Sequence, residues 1–251
     1  KGIELAYQIV DGRSHRLLGD PTRFRQVLLN LVDNAIKFTD KGEVIVHVNT
    51  VELTDSNITL EVTVEDTGIG IAPEKQDRIF QAYDQGDASI SRRYGGTGLG
   101  LAVSAQLAQL MNGSIELMSQ PGHGSRFRFI ARFGHQSELM SGDRHQQIDE
   151  YEGKIALVVD DNSACRRIFS QMLENWGMVP LTAANVDAAK KILQPNSETA
   201  ASVEVILADS DMPQNDGFEL AQWVSATPAF DGKMIMMLTF PHLKRKSECK
   251  T

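Results

Sequence analysis

The sequence is poor in cysteine, in aromatic residues and in long apolar runs. Only Cys165 and Cys249 occur in 251 residues, in unlike contexts and without metal-ligand spacing, which excludes a disulfide framework and a cysteine zinc site. Apolar stretches such as Ile155 to Val159 are broken by charge far short of the ~18 residues of a membrane span, and residues 1–20 hold no signal-peptide core. Positive charge is also the minority, 25 Lys and Arg against 33 Asp and Glu, which argues against a general nucleic-acid binder. A soluble chain in a reducing cytoplasm is expected, with enough hydrophobic residues, 41%, for one or two cores.

Residues 134–153 read GHQSELMSGDRHQQIDEYEG, polar and almost without β-branched residues, between the strand-like RFRFIARF and KIALVV. This predicts a linker between a first domain over 1–133 and a second over 154–251. In the first, Phe24, Val27, Leu28, Leu31, Val32, Ala35 and Phe38 recur at helical period after an Asp-Pro start, so Pro21 to Thr39 should be an amphipathic helix. Strands are expected over Glu43–Val51, Ile58–Glu65, Ser114–Ser119 and Ser125–Phe133, with a helix over Leu99–Asn112. That order implies an α/β sandwich with one helical layer. In the second, apolar runs Ile155–Val159, Val179–Thr182, Val203–Ala208 and Met234–Leu238 alternate with helical patterns near Ala164–Trp176, Val186–Leu193 and Gly217–Val224. Alternation of this kind predicts a doubly wound parallel sheet with its site at the carboxyl ends of the strands.

The first helix places Gln26, Asn30 and Asn34 one turn apart on a single stripe, with Lys37 close by. Such a stripe is either a solvated face or a ligand surface. Asp66-x-Gly68-x-Gly70 ends a β-branched strand, where a carboxylate can accept from an exocyclic amine and glycines permit close backbone approach; alone it is equally a turn. Gly95-Gly96-Thr97-Gly98-Leu99-Gly100 opens the second helix, gathering free N–H groups where a polyphosphate could lie; a flexible hinge is the lesser alternative.

Taken in order, LLGDPTRFRQVLLNLVDNAIKFT, VEDTGIGI, RIFQAYDQ, GGTGLGL and GHGSRFRF resemble the N box, glycine boxes and phenylalanine box of the ATP-binding domain of sensor histidine kinases, in the wider group of gyrase, Hsp90 and MutL. The resemblance implies ATP and Mg²⁺ as cofactors. Asn34 would coordinate the metal with support from Asn30, Lys37 would face the phosphates and Asp66 would read the adenine amine. Gly68, Gly70 and Phe80 belong to the nucleotide-binding boxes, and Gly96, Thr97, Gly98, Leu99 and Gly100 to the phosphate-facing turn. Gln81 to Tyr94 would be a lid, with Arg92 and Arg93 able to reach the γ-phosphate. Hydrolysing relatives carry a glutamate base where Gln26 is expected to stand; an amide there favours kinase over ATPase.

In the second domain Asp160-Asp161 and Asp209 end two strands whose ends should meet at the carboxyl edge of a parallel sheet, and three carboxylates gathered there call for a hard cation; helix capping is the alternative for Asp161 and Asp216 singly. KIALVVDDN, VILADSDMPQNDG and MIMMLT resemble a response-regulator receiver domain. By that resemblance Asp209 accepts phosphate, Asp160 and Asp161 hold Mg²⁺ with the Asp211 carbonyl, and Thr239 is the switch hydroxyl. The family's lysine some twenty residues past the threonine is missing, Phe240-Pro241 replaces a small residue, and the fifth strand and last helix are not expected within 154–251. None of the six histidines has the context of a phospho-acceptor. The partners implied are a His-bearing dimerisation domain of a homodimeric, membrane-anchored parent and a downstream phosphotransfer protein or response regulator. A regulatory docking module is the rival; an Hsp90-like ATPase is disfavoured by Gln26 and the receiver.

Overall fold

The computed structural model describes residues 1–10, 16–81, 99–135, 151–194, 202–213, 216–227 and 233–237. The chain divides into two compact units, Lys1–Leu139 and Met140–Thr251.

The first unit is an α/β sandwich. Its elements are β1 (Glu4–Ile9), β2 (Leu17–Leu18), α1 (Pro21–Phe38), β3 (Glu43–Leu53), β4 (Asn57–Asp66), α2 (Pro73–Gln76), α3 (Gly100–Leu110), β5 (Ser114–Gln120) and β6 (Gly124–His135). Asp20 caps α1, its carboxylate accepting from the N–H groups of Thr22 and Arg23, and Pro21 follows at the first turn, where its missing N–H costs nothing. The helix buries Val27, Leu31 and Ala35 against Val44, Val62, Val64 and Phe129 of the sheet, and the Phe24 ring meets Phe129 tilted and Phe133 edge-on. The sheet runs β1-β3-β4-β6-β2, with β5 also on β6; β1 is parallel to β3 and the other pairs are antiparallel. Its outer face carries cross-strand ion pairs of Arg126 with Glu65 and of Arg128 with Glu61 and Glu116.

Two strands go beyond the sequence-based expectation. Leu5, Tyr7 and Ile9 of β1 do alternate, but they remain exposed on an edge strand, and two-residue β2 is too short to carry a period. Strand β6 runs to His135, so Gly134 and His135 belong to the sheet rather than to the polar stretch; residues 136–150 lie outside the described residues.

The second unit contains β7 (Ile155–Val159), α4 (Ser163–Asn175), β8 (Val179–Ala183), α5 (Val186–Ile192), β9 (Val203–Asp209), α6 (Gly217–Ser225) and β10 (Lys233–Met237). All pairs in its sheet are parallel, in the order β10-β9-β7-β8. Helix α4 packs Leu173 on Ala156 and Val158, while α5 and α6 cover the opposite face through Val186, Ala189, Leu220 and Val224. With both faces covered, β7 is apolar throughout. The chain leaves β7 toward β8 and returns to its other side at β9, so the carboxyl ends of β7 and β9 flank the topological switch point.

Candidate functional site

In the first unit the polar stripe of α1 meets the start of α3. Asn30 Nδ2 donates to Ser104 Oγ at 2.9 Å, across 74 residues of sequence, and Ser104 is buried. A methyl group on Gly100 would stand 2.3 Å from Asn30 Oδ1, so only glycine admits the contact. Leu99, the N-cap of α3, has no side-chain acceptor to offer the first-turn N–H groups, which an uncapped helix presents to an anion. Asn34 lies half-buried one turn further along α1, and Lys37 Nζ sits 5.0 Å from the Phe38 ring centroid. Gln26 is exposed. Asn30, not Gln26, is therefore the amide of α1 that meets the start of α3, at Gly100 and Ser104.

Asp66 closes β4 and is 8% exposed. Burial pushes its carboxyl above the usual carboxylate range, while the N–H of Gly68 and the N–H and hydroxyl of Ser125 pull the other way. The Gly68 N–H lies 2.8 Å from Asp66 Oδ1. Ser125 was not singled out from sequence; its place opposite Asp66 in the β4–β6 register is the signal that finds it. The close approach that Gly68 and Gly70 allow is to protein backbone: a Cβ would lie 2.4 Å from the Phe38 carbonyl oxygen at Gly68 and 2.1 Å from the Gln120 carbonyl oxygen at Gly70. Phe80 is half-buried against the main core. Gly96, Thr97, Gly98, Arg92, Arg93 and the lid from residue 82 lie outside the described residues.

In the second unit Asp160, Asp161 and Asp209 converge, with carboxylate oxygens all within 4.8 Å of one another. An all-oxygen acidic set of this size suits a hard divalent cation. Burial pushes the Asp209 carboxyl up and the Asp161 charge adds to it, against the opposing N–H bonds of Asp211 and Ser210. Asp160 Oδ1 accepts from the Asn162 N–H at 2.8 Å, and Asn162, not Asp161, caps α4. Asp216 does cap α6. Two further residues shape the loop, of which Arg166 was missed in the sequence. Arg166 Nη1 donates to the carbonyls of Asp160 at 2.7 Å and Asp161 at 3.0 Å, and a Cβ on Gly217 would strike the Asp209 carbonyl oxygen at 2.3 Å. Thr239, Phe240, Pro241 and Lys244 lie outside the described residues.

Comparison with known proteins matches residues 19–135 to the histidine kinase-, DNA gyrase B- and HSP90-like ATPase family and residues 156–248 to the response regulator receiver domain. Signal transduction histidine-protein kinase BarA of Escherichia coli is 47% identical over 129 residues, 51% of this chain and 14% of that protein. Histidine kinase 3 of Arabidopsis thaliana is 33% identical over 286 residues, 95% of this chain and 27% of that protein. Sensor protein GacS of Pseudomonas syringae pv. syringae is 33% identical over 206 residues, 82% of this chain and 22% of that protein. The chain thus spans about a quarter or less of these relatives. The crystal structure of full-length ShkA in complex with AMPPNP superposes with a TM-score of 0.71 at 26% identity, covering 99% of this chain and 47% of that one. Among the described residues no helix is long and apolar enough to cross a membrane.

Proposed function

Because the chain joins a histidine kinase-type ATPase domain to a response regulator receiver domain, as in the hybrid histidine kinases of two-component signalling, we propose that its first unit binds Mg-ATP and donates the γ-phosphoryl group to a histidine on a dimerisation domain, for relay to Asp209. The observation that carries this reading is the lodging of Asn30 against Gly100 and Ser104, which brings the amides of α1 to the N-terminus of α3. Asp66, held by Gly68 and Ser125, accepts the adenine amine. The amide oxygens of Asn30 and Asn34 suit Mg²⁺, which when bound would offset charge on the phosphate oxygens. Asn30 cannot take a proton from water, so the γ-phosphoryl is kept for a side-chain acceptor.

In the transfer, the bond from phosphorus to the ADP oxygen breaks as one to an imidazole nitrogen forms. In the relay, that phosphorus–nitrogen bond breaks as an Asp209 carboxylate oxygen bonds to phosphorus. The N–H groups of Asp211 and Ser210 orient that carboxylate, and Asp160 and Asp161, whose carboxylates lie beside it, would hold the cation the step needs. The test is to mix the chain with radiolabelled Mg-ATP and a separately expressed His-bearing dimerisation domain, then trace label onto histidine and onward to Asp209. Label on both supports the proposal. Nucleotide binding without transfer to either acceptor would overturn it in favour of a docking module.

A further inference from the structure

We infer that Ser104 is a positioning residue of the nucleotide site, acting through Asn30 to set where the first turn of α3 lies. The inference rests on the reading of that site as one for Mg-ATP. Gly100 and Ser104 are four residues apart on α3 and so share the face turned toward α1, where they hold the two ends of one amide. The Ser104 hydroxyl accepts from Nδ2 at 2.9 Å, and Oδ1 is thereby directed at Gly100, the first residue of α3.

An amide has unlike ends, and only the oxygen can serve a cation or a bound water as acceptor. Left without the hydroxyl, the side chain can turn its NH₂ group toward the same place. The bond also fixes the register of two helices. Sliding α3 along α1 by one residue, about 1.5 Å, would break it and carry the first-turn N–H groups away from the phosphates. Ser104 itself is 1% exposed and lies a full turn beyond the glycines, so it reaches the nucleotide only through its partner.

The experiment measures Mg-ATP affinity of the whole chain by calorimetry, together with melting temperature, for wild type, Ser104→Ala, Ser104→Thr and Ala108→Gly. Ser104→Ala should weaken binding on the order of tenfold, the usual consequence of a buried donor losing its acceptor in a site that must stay aligned. Ser104→Thr keeps the hydroxyl and should restore affinity to within about threefold of wild type, since a retained hydrogen bond keeps the clamp. Ala108→Gly weakens the same helix at a buried position outside the site; it should lower the melting temperature and leave affinity unchanged. Unchanged affinity in Ser104→Ala, or equal losses in the alanine and threonine variants, would overturn the inference. Absence of binding by wild type would instead refute the nucleotide reading on which it stands.

Discussion

Replacing Asp209 by asparagine should stabilise the second unit when no divalent cation is present. Its carboxylate lies within 4.8 Å of those of Asp160 and Asp161, so the substitution removes two like-charge contacts while keeping the oxygen that accepts from the Asp211 N–H. At that separation each contact is worth about 0.9 kcal/mol in water and about 3.5 kcal/mol at an effective dielectric of 20. Asp161 is solvent-exposed, which screens its share toward the lower figure, so a net gain of about 1–3 kcal/mol is expected. The folded carboxyl is raised above its ordinary value, so the unfolded chain ionises first as pH rises. The ionised group therefore costs stability above the carboxylate range and not below it. The gain from asparagine should be full at neutral pH and vanish below about pH 3. Both tryptophans, Trp176 and Trp223, lie in this unit, so urea unfolding followed by their fluorescence reads it alone. Millimolar Mg²⁺ should stabilise wild type and shrink or reverse the difference. An Asp209→Asn chain no more stable than wild type in chelator, or a gain indifferent to both pH and Mg²⁺, would refute the reasoning.

Arg166→Met removes both hydrogen bonds to the carbonyls of the acidic loop and should destabilise the second unit by about 1.5–3 kcal/mol in the same fluorescence assay. Gly70 and Gly122 both have positive φ, but only Gly70 has a backbone carbonyl in the way of a Cβ. Gly70→Ala should thus cost about 1–3 kcal/mol more than Gly122→Ala in thermal unfolding by circular dichroism, and equal effects would show that strain at φ alone decides. Asp66→Ala should abolish adenine nucleotide binding in calorimetry. Because burial raises the Asp66 carboxyl, wild-type affinity should begin to fall at higher pH than an ordinary aspartate would allow as acid is added.

Much of the fold is local and so was open to reading along the chain. The span of α1 follows from its apolar period and Asp20-Pro21 start, and the span of β7 from an unbroken apolar run. Strand β1 was not, because its alternating Leu5, Tyr7 and Ile9 meet solvent and its partner β3 lies beyond a whole helix. The candidate sites divide in the same way. The acidic ends of β7 and β9 could be named because parallel order forces them together, and Asn30, Asn34 and Asp66 because their motifs resemble a family. Their neighbours could not. Ser104 and Ser125 are ordinary serines in sequence, distinguished only by what stands opposite them.

By itself the amino-acid order determined the kind and approximate span of the strongly periodic elements such as α1 and β7, and which side chains share a stripe or a strand end, since period, capping and turn chemistry act within a few residues. Tertiary packing alone decided that Asn30 rather than Gln26 meets Gly100 and Ser104, that Gly68 and Gly70 make room for backbone, and that Arg166 ties down the acidic loop. Those contacts depend on the distance and rotation between elements, which close packing of side chains sets and no local pattern encodes.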